Sequence, residues 1–263
     1  KIAIYNRATY YSFLKYCSLE RLKKKKILLV GMLSWFEGQP LDKANYIALN
    51  NFFPKVFKSA YCGIVGEIKN VSYVCNTEDE IAWGLAPDLL YVMGSNMQKS
   101  MRMYSDKVNV TVAPAFRFSS IWNYNYKIGK KIIVALPLPL DESRNIMELI
   151  KTLSIRGNLK GLNFFVKPHP ASVNKKELES MQCFPQIEIV DDSLNQMLDH
   201  AAVLISSASS TCLETLVCGI PVIVIGNNKG ITVNPIPETI KDDFWKLCYT
   251  AEELEKAIEF FVN

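Results

Sequence analysis

Histidine is nearly absent from this chain: two residues in 263, at positions 169 and 200. Seven cysteines (17, 62, 75, 183, 212, 218 and 248) form no Cys-x-x-Cys pair. Cys212 and Cys218 lie close in sequence, but so few imidazoles leave no complete zinc-ligand set, and no metal site is expected. The odd, scattered cysteines read as reduced thiols, which points to the cytoplasm. No apolar run approaches the ~18–20 residues of a bilayer span; the richest, Ile220–Ile225, has the length of a buried strand. No signal-peptide pattern opens the sequence at Lys1, and the missing initiator Met points to a trimmed chain or a fragment. Repeats and low-complexity segments are also lacking.

What is present is the composition of a globular protein, 49% hydrophobic and 21% charged, long enough for one large domain or two small ones. Charge is unevenly placed. Residues 1–128 hold 17 Lys and Arg against 9 Asp and Glu, net +8, whereas residues 129–263 hold 13 against 17, net −4. Such asymmetry suggests two domains with different partners, the first favouring an acidic glycan, a lipid phosphate or a membrane surface. A random surface imbalance would give the same count. No nucleic-acid partner is expected.

The second half alternates short apolar strands with helices. Lys131–Leu136 reads as a strand, and Asp141–Ile155 as a helix with Ile146, Leu149, Ile150 and Leu153 on one face. The strand Leu162–Val166 runs into Lys167-Pro168-His169-Pro170, and Asn174–Met181 is a short helix. Next come the strand Ile187–Val190, the helix Ser193–His200 capped by Ser193, and the strand Ala202–Ile205. Helix Ser209–Cys218 closes at Gly219, strand Pro221–Ile225 follows, and strand Leu247–Tyr249 precedes an amphipathic helix over Ala251–Phe261. His200 reads as a helix C-cap. Continuous apolar strands between helices imply a parallel sheet covered on both faces, a Rossmann-like α/β domain. The first half repeats the theme less cleanly. A strand starts at Ile27–Val30, and a helix covers Asp42–Phe53. A strand follows at Cys62–Val65, then a helix at Thr77–Trp83 with a capping box. Asp88–Met93 is a strand, Met97–Tyr104 a helix and Val108–Val112 a strand. The division falls in the polar stretch Asn123–Lys130, giving domains 1–128 and 129–263.

Ligands of open α/β sheets collect beyond the carboxyl ends of the strands. There, Ser206, Ser207, Ser209, Ser210 and Thr211 precede or begin a helix, where backbone N–H groups and hydroxyls can seat a phosphate; hydroxyls at this position also serve as ordinary caps. His169, pinned between two prolines, can donate to a phosphate or leaving-group oxygen, or make a structural loop bond. Glu214, one turn into the helix, can accept two ribose hydroxyls or stand exposed.

These residues carry a resemblance. Glu214–Val224 (ETLVCGIPVIV) resembles the donor-binding helix and strand of GT-B glycosyltransferases. KPHP at 167–170 and SSASST at 206–211 resemble the HP and Ser/Thr motifs of bacterial sialyltransferases. They are similar also to capsule Kdo transferases and CDP-glycerol glycerophosphotransferases. The likeness covers roughly the second half. It implies a GT-B-like fold of two Rossmann-like domains with parallel sheets, the first of them small or incomplete. By the resemblance, Lys167, His169 and the 206–211 loop bind the phosphate of a cytidine nucleotide, and Glu214 holds its ribose. Many retaining GT-B enzymes carry a second glutamate that would fall at Ser206; the serine there argues for the HP-and-serine enzymes. With no Asp-x-Asp motif, transfer is expected to be metal-independent, with no cofactor beyond the nucleotide-sugar donor.

The resemblance also implies that the catalytic base comes from the first, acceptor-side domain. Glu37 ranks first, Asp42 second although it suits a helix cap, and Glu67 third. Trp35 is placed to stack on a sugar, and Gly94-Ser95-Asn96 and Arg117 have weaker support. The expected function is transfer of a sugar from a CMP-linked donor to a cell-surface glycan, the acceptor being anionic or lipid-linked. Lys23–Lys26 can touch lipid headgroups at the inner membrane face, although a run of four lysines more often stands simply solvated. The alternatives are CDP-glycerol-type phosphopolyol transfer, a GT-B-like nucleotide-sugar epimerase and a non-catalytic GT-B-like binding module.

Overall fold

The computed structural model describes residues 6–64, 74–123, 126–127, 129–157, 161–171, 178–179 and 183–262. The chain forms two compact units, Lys1–Arg117 and Phe118–Asn263, divided earlier than the polar stretch at 123–130. The strand read at Cys62–Val65 and the helix read at Asn174–Met181 run into residues outside those described, and Glu67 lies outside them entirely.

The first unit holds α1 (Arg7–Lys24), β1 (Gly31–Trp35), α2 (Pro40–Phe52), β2 (Phe57–Cys62), α3 (Glu78–Ala82), β3 (Leu89–Val92), α4 (Ser95–Ser100) and β4 (Val110–Val112). Its sheet runs β1-β2-β3-β4, all parallel. Side chains alternate across it. Ala60, Cys62, Leu90, Val92 and Val110 face the core with Phe36, Tyr46, Met97 and Met101, while Leu33, Trp35, Tyr61 and Tyr91 fall on the opposite face. A second apolar cluster, Leu49, Phe53 and Val56 with Leu19 and Leu22, seats α1 on α2.

Two expectations are corrected here. Ile27–Val30 is not a strand: Leu28 and Val30 are 85% and 87% exposed, and pairing with β2 starts only at Gly31. The segment read as Cys62–Val65 pairs earlier, over Phe57–Cys62. Helix α1 was not anticipated at all.

A 3-10 run, Phe116–Asn123, leads into the second unit. This unit comprises β5 (Lys131–Ala135), α5 (Leu140–Arg156), β6 (Phe164–Lys167), β7 (Ile187–Ile189), α6 (Leu194–Leu198), β8 (Ala201–Ser206), α7 (Thr211–Val217), β9 (Val222–Ile225), β10 (Trp245–Cys248) and α8 (Ala251–Val262). The six strands are parallel in the order β10-β9-β8-β5-β6-β7, which is the Rossmann order read from one edge to the other. Ile132, Val134, Phe164, Val166, Val203 and Ile205 pack beneath Ile146 and Ile150 of α5 and Leu254 and Ile258 of α8. Ile133, Ala135, Leu204, Val222 and Val224 pack on the other face with Leu198, Cys212 and Ile236. Burial on both faces explains why these strands read as unbroken apolar runs.

Helix ends follow local chemistry. Ser193 caps α6 reciprocally with Gln196, and Gly219, at φ 79°, closes α7 in the left-handed conformation that glycine adopts without strain. The C-cap of α6 is Asp199, not His200. His200 instead takes a φ of 65° in the turn before β8, donating its N–H to Lys127 O at 2.8 Å and accepting from Lys131 N at 3.1 Å.

Candidate functional site

In the second unit the strand order reverses between β5 and β8, and the crevice beyond their carboxyl ends is where such sheets bind ligands. Two hydrogen bonds tie the strand ends around it. Ser206 Oγ donates to Ala135 O at 2.7 Å, crossing from β8 to β5, and Leu136 N donates to Lys167 O at 2.9 Å, crossing from β5 to β6. Ser206 is fully buried; its hydroxyl proton braces the sheet, unlike those of the serines that follow.

Those serines follow the carboxyl end of β8. Ser207 donates to Glu142 Oε2, and the Ala208 N–H points to the same carboxylate oxygen at 3.3 Å. Thr211 Oγ1 donates to Ser209 Oγ at 2.8 Å, and Ser210 Oγ donates to Glu214 Oε1 at 3.1 Å. Cys212 lies directly beneath, its thiol against Ser207 O, and burial pushes its pKa up to about 12. It is therefore a neutral packing group. The helix begins at Thr211, with Ser210 at its N-cap, so Ser207–Ser210 form a loop of hydroxyls and amides leading into it.

Glu142 was missed by sequence reasoning. It sits in the first turn of α5, a place acidic residues favour for the helix dipole alone. Only the fold brings it to Ser207. The one usable signal was its position just after the strand at the switch point.

His169 stands beyond the end of β6, half-buried. Its Nδ1 accepts the Ala171 N–H at 3.1 Å. That bond places the proton of a neutral imidazole on Nε2, so the ring presents Nε2–H as a donor. Lys167 is the last residue of β6, also half-buried. The second unit thus gathers Lys167, His169, Ser207, Ser209–Thr211 and Glu214 along the carboxyl ends of its central strands and the helix that follows β8.

In the first unit, Glu37 and Asp42 flank the turn after β1. Trp35 Nε1–H donates to Glu37 Oε1 at 2.7 Å. Asp42 Oδ2 accepts from Glu37 N at 2.9 Å and Gln39 N at 3.1 Å, the carboxylate half of the capping box that opens α2. Asp42 therefore has a structural duty, whereas Glu37 makes no backbone cap. Gly63 lets the Trp35 ring lie against the backbone, since a Cβ there would enter the indole. Tyr61 packs against Trp35 on one side and Phe116 on the other, each pair of rings tilted at a centroid spacing of 5.8 Å. With Leu33, Ser59, Tyr91 and Arg117 these three rings line an apolar groove of about 900 Å³ on the open face of the sheet. Gly94-Ser95-Asn96 lies at the start of α4 beyond β3, with Gly94 at φ 114°.

No protein-family model and no curated protein sequence matches the chain. Solved structures do. UDP-GlcNAc 2-epimerase from Methanocaldococcus jannaschii, solved with UDP-GlcNAc and UDP, aligns with a TM-score of 0.62 at 13% identity, over 98% of this chain and 75% of its own. MnaA from S. aureus, solved with UDP, gives 0.64 at 14% identity over the same shares. An α,α-trehalose 6-phosphate synthase from Burkholderia multivorans gives 0.58 at 11%, over 98% and 70%. At such identities the shared property is the fold, and this chain has the α/β fold of the GT-B enzymes, built from two Rossmann-like units with parallel sheets.

Proposed function

We propose that the protein is a metal-independent glycosyltransferase that moves a sugar from a nucleotide-activated, CMP-linked donor to a glycan. The observation that carries this reading is the grouping of His169 and the Ser207–Thr211 loop along the carboxyl ends of the strands around the switch point of the second unit. A phosphate seated there takes hydrogen bonds from hydroxyls and loop amides, with Nε2–H of His169 as a further donor. Lys167 supplies positive charge, and Glu214, already accepting from Ser210, accepts ribose hydroxyls. As the bond from the anomeric carbon to the phosphate oxygen breaks, its electron pair leaves with the nucleotide, and His169 stabilises the charge that develops. Glu37 takes the acceptor hydroxyl proton. Its carboxylate is oriented by Trp35, and the aromatic groove beside it suits the apolar face of a sugar ring. The acceptor is anionic or lipid-linked, in keeping with the basic first half, and the protein acts at the cytoplasmic face of the membrane.

A second reading, a nucleotide-sugar epimerase, is favoured by the structural likeness to UDP-GlcNAc 2-epimerases. Incubation with CMP-linked sugars, CDP-glycerol and UDP-GlcNAc, each with a mixture of anionic glycans, separates the readings. Acceptor-dependent CMP release from a CMP-sugar is expected. Phosphopolyol transfer would instead release CMP from CDP-glycerol, and isomerisation of UDP-GlcNAc without any acceptor would establish the epimerase. A chain that turns over none of them while still binding nucleotide is the binding module.

A further inference from the structure

We propose that α1 and the loop after it dock the protein on an anionic lipid surface. This names the surface behind the membrane location in the functional reading and rests on that part of it alone; nucleotide binding by the second unit is independent.

Helix α1 contains no buried residue. It lies on α2 through Leu19 and Leu22, through Tyr16 packed on the Phe52 ring at 5.1 Å, and through Asn51 Nδ2 donating to the Tyr16 hydroxyl at 3.0 Å. At 3.6 residues per turn, Arg7, Tyr10, Leu14, Arg21 and Lys24 fall on the stripe opposite that contact, flanked by Tyr11 and Phe13. All four apolar and aromatic members of this outer surface are exposed, Phe13 most at 63%. Residues 7–26 carry seven Lys and Arg against Glu20 alone, net +6. The lysine run then leads into Ile27, Leu28 and Val30, which are exposed as well.

Aromatic rings beside a dense cation cluster match the two requirements of a bilayer interface. The rings and Leu14 enter the headgroup boundary, and the cations meet lipid phosphates. A soluble polyanion would satisfy the cations and leave the rings in water. No described helix is long and apolar enough to cross a membrane, so α1 lies on the surface.

The test is cosedimentation of the full chain with phosphatidylcholine vesicles, with and without phosphatidylglycerol, across a salt titration. Two variants, Phe13→Ser/Leu14→Ser and Lys25→Glu/Lys26→Glu, are compared. The wild type is expected to pellet with the anionic vesicles only and to be released by salt, and each variant to lose roughly tenfold in partitioning. Circular dichroism checks that the variants fold, and the wild-type comparison of the two vesicle types stands without them. Equal binding to neutral vesicles, or no binding, overturns the proposal. So does loss confined to the charge reversal, which would make this a face for soluble polyanions. A nucleotide titration on the same samples reports on the second unit separately, so its failure would contradict the functional reading and leave the vesicle result standing.

Discussion

Glu142 places a carboxylate on the two donors, the Ser207 hydroxyl and the Ala208 amide, that a bound phosphate would need. Two anions do not share such donors, so under the proposed function the side chain turns away to admit the nucleotide. Glu142→Ala is therefore expected to raise nucleotide affinity severalfold, read by calorimetric titration; weaker binding would show that Glu142 orients the serines rather than competing with the ligand. Thr215, one turn further into α7, is fully buried, and its hydroxyl has no partner among the described residues. Thr215→Val keeps the shape and removes the orphan hydroxyl, so it is expected to stabilise the fold by about 1 kcal/mol in denaturant melts. The hydroxyl-rich loop, His169 and Glu214 were legible as residue types in a pattern. The Ser207–Glu142 bond was not, because it joins positions 65 apart in the chain and only the β5–β8 pairing brings them together.

At the scale of elements, α2 and α3 are joined by an ion pair between Lys43 and Glu80, both largely shielded from solvent. Burial pulls the Glu80 carboxyl pKa up, but the Lys43 ammonium and the Thr77 amide outweigh it and hold the group below the usual carboxylate value. A depressed folded pKa contributes stability above the unfolded-state value, and that share is lost as pH falls through the folded pKa. Glu80→Gln should lower Tm near neutral pH, and the gap from wild type should close in acid; a gap independent of pH would mean the charge is irrelevant. The strands of the second unit could be read from sequence because both faces are buried. Helix α1 could not, because its contact with α2 uses few apolar residues while its outer side mixes aromatic residues and cations. Ile27–Val30 misled for a related reason: its apolar side chains face water. The neighbouring β1 has an alternating pattern because one face of its sheet is open.

For the molecule as a whole, the proposed reaction gives the two units different parts. The second carries a complete six-stranded Rossmann order with apolar clusters on both faces, so residues 118–263 produced alone should fold and retain nucleotide binding. The first carries the aromatic groove, the Glu37–Trp35 pair and the basic helix. Removing the indole with Trp35→Ala is expected to impair transfer to the glycan while leaving nucleotide affinity within twofold or so of wild type, a split that comparing turnover with nucleotide titration would reveal. The proposed function places a cytidine nucleotide site at the carboxyl ends of the central strands in the second unit. Its most direct test is a calorimetric titration of CMP, CDP and UDP into the wild type and His169→Ala. Saturable binding of CMP in preference to UDP, weakened tenfold or more by the substitution, is the expected result. No binding of any nucleotide, or binding indifferent to His169, would contradict it.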